Sequence, residues 1–308
     1  MAKKSESKII SVFKIIFEGL CLYFKNIDKF IKYMTFPILG QVLGLILIFS
    51  TQYLFATNLE KIVVLSPIFD NVSVVFTTLL IITIPAFIIF LAAFWKYLVA
   101  MGSLNSMANN LICSAKLDDL SIHNDTVNRR LGTYVSLLLI LSLISFLGVI
   151  PLFWIPLLVV MIFLCLVFQV FALEENLNAI EICKKSAKMI KGNFLKASLL
   201  LFLLYVISYI MIPELINYAF TKLSIYEIVN KPLETYLATL PLMEVQSMIQ
   251  MFVPDFSLDF SAIPKTIASI VVSTVVICYT LPLRSICCTM LYKDLELKKL
   301  KEKKIKEL

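Results

Sequence analysis

Glu174–Pro213 reads EENLNAIEICKKSAKMIKGNFLKASLLLFLLYVISYIMIP, and this stretch decides the fold. Its first half is a basic amphipathic helix. At 100° per residue, Ala179, Ile180, Ile182, Cys183, Ala187 and Ile190 share one face. Glu181, Lys184, Lys188 and Lys191 share the opposite one, with Lys185 at its edge. Gly192 ends the helix, and Asn193 is placed to cap the next, because its side-chain oxygen can accept a backbone N–H. From Phe194 to Pro213 only Lys196 is charged, so the second half is apolar for long enough to cross a bilayer. The pattern predicts a helix in the headgroup plane feeding a helix that passes straight through.

The rest of the chain has the same character. Of its 308 residues 60% are hydrophobic and 16% charged, against about 25% charged in an average soluble domain. Mean hydropathy is +0.91. A water-soluble core could not hide this much apolar surface, so lipid must be the solvent for much of it. The net charge of +7 would suggest nucleic acid in a soluble protein. Here the basic residues cluster beside hydrophobic spans, which points to lipid headgroups and away from nucleic acid. The start of the chain is not read as a secretory leader. Lys14 and Glu18 interrupt the apolar run Ile9–Phe24, and no small-x-small cleavage site follows.

Six spans are expected, at about 33–54, 74–94, 131–149, 152–173, 194–213 and 266–286, in a single all-α integral membrane domain over 1–308. Residues 9–25 read as an amphipathic helix with a narrow polar stripe, and Asn26–Lys32 as a charged turn. Gly40 and Gly44 form a GxxxG spacing in the first span, which lets another helix approach closely. Residues 56–73 read as an outer loop, and 95–130 as an inner segment with an interfacial stretch at Leu104–Ile112. Pro151 forces a tight turn between spans three and four. The outer loop 214–264 is expected to hold two short surface helices, and the tail 293–308 a frayed basic helix at the cytoplasmic face.

Charge orients this layout. With both termini inside, the inner segments hold 7, 4, 5 and 8 Lys and Arg, 24 in all, against 4 outside. That asymmetry predicts a multi-pass cell-membrane protein with cytoplasmic N and C termini. Each odd-numbered span follows a basic amphipathic or polar segment (8–32, 117–130, 174–191), the trace of a threefold helix–span–span repeat.

Candidates for chemistry are few. His123 is the one histidine, in a polar inner loop, and reads as a solvated residue. No zinc-ligand spacing, phosphate-binding glycine loop or nucleophile elbow occurs, so no catalytic residue, metal or cofactor is expected. The seven cysteines avoid the longer outer loops, which argues against a disulfide framework. Cys287–Cys288 reads as two small apolar residues at a helix end in preference to a palmitoylation or redox site. The expected spans hold no buried acid, which argues against a proton- or sodium-coupled pump. Arg284 lies near the inner end of span six, where its side chain can snorkel to the headgroups as a stop-transfer residue or bind a lipid phosphate. The basic helix is the more informative feature: Lys184, Lys185, Lys188 and Lys191 face anionic headgroups, or serve topology alone, or both.

Ala179, Ser186, Lys191, Gly192, Asn193 and Phe194 together resemble a motif found after the fourth span in a group of bacterial six-span proteins. The group comprises the glycerophosphoryl diester phosphodiesterase membrane-domain superfamily and related uncharacterised families. Tyr292, Asp294 and Leu295 are similar to the group's exit from its last span, while Leu195 stands where an aromatic is usual. The resemblance implies a bacterial inner-membrane protein without established chemistry. The phosphodiesterase activity of some relatives belongs to a separate soluble barrel that this sequence lacks. The leading expectation is therefore a non-enzymatic accessory or structural membrane protein that engages anionic lipid, or a membrane protein partner, through its inner basic helices. The alternative is a transporter or channel for a lipid-like or small apolar solute, with Pro37, Pro85, Pro156 and Pro282 in flexible walls.

Overall fold

A computed structural model describes residues 11–114, 122–237, 242–253, 257, 259 and 262–306, and among these the regular structure is helical, with no strand. Six stretches are long and apolar enough to cross a membrane: Ile27–Thr57, Val72–Ser114, Leu131–Val149, Pro151–Leu173, Phe194–Lys222 and Ile263–Glu302. Large apolar side chains such as Phe76, Leu80, Ile84, Leu143 and Phe202 point away from the protein on these stretches. Helices satisfy their own backbone hydrogen bonds, and only lipid solvates such a surface. The chain is a multi-pass, all-α integral membrane protein. The single domain read over 1–308 divides into two compact units, Met1–Leu201 with Leu281–Leu308, and Phe202–Thr280.

The first unit opens with α1 (Val12–Lys25) and α2 (Ile27–Thr57). Only Asn26 separates them, and its Nδ2 donates to the Leu22 carbonyl at 3.0 Å. The charged turn expected over Asn26–Lys32 is helical from Ile27 onward, because Asp28 sits in the first turn of α2, where the helix dipole favours an acid. The outer segment 56–73 contains α3 (Leu59–Leu65) and a single 3-10 turn at Pro67–Asp70. Next, α4 (Val72–Ser114) runs for 43 residues, roughly 64 Å at the α-helical rise and twice the hydrocarbon thickness. Its second half is not the surface stretch expected after Phe94. Val99, Ala100, Leu104, Met107, Ala108 and Leu111 are buried, so tertiary packing carries the helix past the membrane signal.

The chain continues with α5 (Asn124–Asn128) and α6 (Leu131–Phe146), which tops out in a 3-10 turn at Leu147–Val149. Ile150 is extended, a second 3-10 turn covers Pro151–Phe153, and the indole N–H of Trp154 closes the hairpin on the Gly148 carbonyl at 2.9 Å. The fourth span is two helices, α7 (Trp154–Phe163) and α8 (Val167–Leu173), with a break at residues 164–166. Then come α9 (Ala179–Ile190) and α10 (Phe194–Tyr205).

The second unit opens with the end of α10 and a π-helical turn at Val206–Met211, where the Ile212 N–H reaches back five residues to the Ile207 carbonyl. Pro213 sits immediately beyond it, and the wide turn gives its ring room that a regular helix would deny. The helix therefore does not end where the outer loop 214–264 was expected to begin. It runs on as α11 (Ile212–Lys222), with Glu214 in its first turn and Lys222 in its last, each matched to the helix dipole. Two short helices follow, α12 (Ile225–Leu237) and α13 (Leu242–Gln250), then α14 (Ile263–Tyr279). Inside this unit Asn217 ties three helices together: its Nδ2 donates to Ser273 Oγ at 2.9 Å, and Tyr226 donates to its Oδ1 at 2.5 Å.

The last helix, α15 (Leu281–Lys306), returns to the first unit and packs on α1, α4, α8 and α9. Leu283, Ile286, Cys287, Leu291, Tyr292 and Leu295 are buried along it. This core, shared by α1, α4, α8, α9 and α15, positions the candidate site.

Candidate functional site

The site is built around α9, and a capping box fixes where that helix starts. Asn178 Oδ1 accepts from the Glu181 N–H at 3.0 Å, and Glu181 Oε2 accepts from the Asn178 N–H at 2.9 Å. Gly192 stops the helix in a left-handed conformation, φ +84°, which a Cβ would disfavour. Between these ends Ala179, Ile182, Ser186, Met189 and Ile190 are buried against α6, α7, α8 and α15. The buried face is thus rotated from the expected one. It takes in Ser186 and Met189 and leaves Ile180 58% exposed. Protein covers most of the apolar side of the helix that was expected in the headgroup plane.

Ser186 explains the rotation. Its Oγ donates to the Phe163 carbonyl at 2.8 Å and accepts from the Leu166 N–H at 3.3 Å. One hydroxyl bridges the break between α7 and α8, satisfying backbone groups that the interrupted ladder leaves open. The motif serine thus has a structural task in this chain.

Arg130 secures the other end of the same junction. Nη1 donates to the carbonyls of Phe171 (2.8 Å) and Glu174 (2.7 Å), and Nη2 to that of Leu177 (2.7 Å). Its guanidinium lies 4.8 Å from the centre of the Phe171 ring. The last carbonyls of a helix lack intrahelical donors, and a cation there complements the dipole. Burial pulls the guanidinium down from its usual value while Glu175 pushes it up, and an arginine stays charged under both. Sequence counting registered Arg130 as a topology charge only.

The junction ends at Glu174, whose carboxylate accepts from Lys185 Nζ and from the Tyr292 hydroxyl, the latter at 2.7 Å. Tyr292 belongs to α15, and three more contacts hold that helix down. Lys298 Nζ donates to Asn193 Oδ1 at 2.8 Å, so this asparagine oxygen serves the tail. Lys299 Nζ donates to the Lys188 carbonyl at 2.9 Å. Lys196 pairs with Asp294 at 2.7 Å, with side chains only 18% and 8% exposed. The tail is a helical continuation of α15 through Lys306, held to the first unit by contacts that run as far as Lys299.

Between α9 and α15 lies an open cleft of about 560 Å³. Lys184, Lys185, Lys188 and Lys299 border it with Glu174, Glu181 and Glu296, and Met189 and Leu300 add apolar surface. Two of the three acids are engaged, Glu174 by Lys185 and Tyr292, and Glu181 by the helix cap. Lys184 and Lys188 form no ion pair among the described residues. They stand four residues apart on one exposed face, where like charges repel. An anion in the cleft relieves that repulsion. Lys191 is exposed at the far end of α9 and Arg284 is half-buried on α15, and neither borders the cleft.

Gly40 and Gly44 face α4. A Cβ on Gly40 would come within 2.7 Å of the Ala93 Cβ, and one on Gly44 within 2.8 Å of the Phe90 backbone. The two helices touch at main-chain distance.

A buried polar layer lies along the second half of α4. Gln169 Nε2 donates to Asn105 Oδ1 at 2.8 Å, and Asn105 Nδ2 donates to the Met101 carbonyl at 2.7 Å. Tyr33 donates to Asn124 Oδ1 at 2.6 Å, and Tyr134 to the Leu98 carbonyl. His123 is not solvated as expected: it is buried, with Nδ1 2.9 Å from Ser106 Oγ, because α5 folds back onto α4. No local sequence signal brings these residues together, since their partners come from four different segments. Among the described residues no three His, Cys, Asp or Glu side chains converge as metal ligands.

Comparison with known proteins gives no relative: no family model, no curated protein and no solved structure matches this chain.

Proposed function

We propose that this protein is a non-enzymatic accessory or structural component of the cell membrane that holds anionic lipid at the cleft between α9 and α15. The observation that carries this reading is the placement of Lys184 and Lys188, which form no ion pair among the described residues, on the same cleft as Lys185 and Lys299 and beside apolar Met189 and Leu300. A phosphate headgroup with its attached chain meets both requirements, cations for the phosphate and apolar surface for the chain. The excess of 24 Lys and Arg against 4 supports placing this face, and both termini, on the cytoplasmic side. The motif resemblance at Ala179–Phe194 is consistent with a bacterial inner-membrane protein of this kind.

The test is anionic-lipid binding to the purified chain carrying Lys184→Gln and Lys188→Gln. A lysine near a headgroup contributes about 1 kcal/mol, so the pair should cost on the order of tenfold in affinity. Unchanged binding at low salt would mean that the lysines act only in orientation, or receive an acidic membrane protein partner. A second reading, passage of a lipid-like or small apolar solute, draws on the discontinuities in spans four and five. Interrupted helices recur at transporter sites, and Ser208 is fully buried inside the π turn. Solute flux into proteoliposomes, abolished by Ser208→Leu, would favour it.

A further inference from the structure

The first helix carries a feature that the cleft does not use. On a 100° wheel α1 divides into three sectors, where an ordinary surface helix has two. Val12, Ile15, Ile16, Gly19 and Tyr23 form one sector, buried against the rest of the first unit; Gly19 meets α15 so closely that a Cβ there would overlap Cys287 Sγ. Lys14, Glu18 and Lys25 form a second sector, the lysines exposed and Glu18 half-buried, with Lys14 and Glu18 paired at 3.5 Å. The third holds Phe13, Phe17 and Phe24, which are 70%, 69% and 57% exposed, with half-buried Leu20 among them. Three phenylalanines in a row on one helix face is a large apolar surface to leave to water.

We propose that α1 is an in-plane membrane helix whose Phe13, Phe17 and Phe24 insert among lipid acyl chains. Two observations select lipid as the occupant. Only Asn26 separates α1 from the membrane-crossing helix α2, so α1 is held at the bilayer surface. The charged sector lies on the far side of the helix from the buried one and beside the aromatic one, so one rotation puts the phenylalanines in acyl chains and the lysines at headgroup level. An interfacial helix ordinarily spends its one apolar face on lipid. Here a separate apolar face is already committed to α15, so α1 fixes the depth at which the whole first unit sits. This inference does not depend on the cleft.

Bromolipid quenching tests it. Trp95 and Trp154 are replaced by Phe, and single tryptophans are introduced as Phe17→Trp, Phe24→Trp and Lys14→Trp in the full chain, reconstituted in vesicles of acyl-brominated phosphatidylcholine. The tryptophans at 17 and 24 should be strongly quenched, at a depth of about 5–10 Å below the headgroup boundary, and the one at 14 much less. Equal quenching at 14 and 17, or none at 17 and 24, overturns the proposal. If position 17 instead cross-links between copies and ignores the bromines, the phenylalanines are a self-association surface.

Discussion

The two halves of α4 are one continuous helix built on different physics. Before Val99 only Ala86 and Ala93 are buried, and Phe76, Leu80, Ile84, Phe87 and Leu91 face outward. Contact with α2 is made where side chains are smallest, Gly40 and Gly44 lying against Ala93 and Phe90. From Val99 on most positions are buried, Ser103 and Asn105 among them with half-buried Ser106 alongside, each bonded to backbone or to a neighbouring side chain. In hydrocarbon there is no hydrophobic drive between helices, so close backbone approach holds the first half. Outside it, exclusion of water and satisfied polar pairs hold the second.

The sharpest way to break that contrast is at Gly44. A valine there meets the Phe90 main chain, which cannot rotate away as a side chain could, so α2 and α4 must separate. Gly44→Val should cost at least about 1–3 kcal/mol and lower the heat resistance of the detergent-solubilised protein, read by size-exclusion after heating. Gly132→Val, with nothing within 4 Å of its would-be Cβ, is the matched control and should change little.

In the polar half, Asn105→Leu strands the buried amide of Gln169. The cost should be about 1–3 kcal/mol. Because the penalty comes from the unpaired partner, Asn105→Leu with Gln169→Leu should recover much of it, and the same heating assay across the four proteins reads the coupling. Additive losses would show that the two amides do not act as a pair. The smallest effect belongs to the lipid face: Ile84→Leu exchanges one acyl-chain contact for another and should stay within about 0.5 kcal/mol of wild type. A large loss there would mean that protein, not lipid, covers the first half.

Hydropathy found the six stretches that are long and apolar enough to cross a membrane among the described residues, since an apolar run is a local property of the chain. The same local signal underestimated α4 and α11. α4 continues into polar sequence because neighbouring helices bury it, and α11 continues, with Pro213 its one buried residue, tied to α12 and α14 through Asn217; no window of residues contains those partners. The break in span four was equally hidden: Val159–Phe168 reads as unbroken apolar sequence, and the hydroxyl that bridges the gap comes from Ser186, some twenty residues on.

The lysines of α9 were legible as a basic face from spacing alone, together with the glycine that ends the helix. Which of them share a site was not. Lys185 is taken by Glu174, Lys191 lies outside the cleft, and Lys184 and Lys188 border it because α15 returns from the far end of the chain to form the opposite wall. Sequence by itself determined which segments are apolar enough to enter lipid, because hydropathy adds up one residue at a time along the chain. Tertiary structure decided the partners, because a hydrogen bond or a cleft needs groups from distant segments within a few ångströms of each other, and only packing sets that distance.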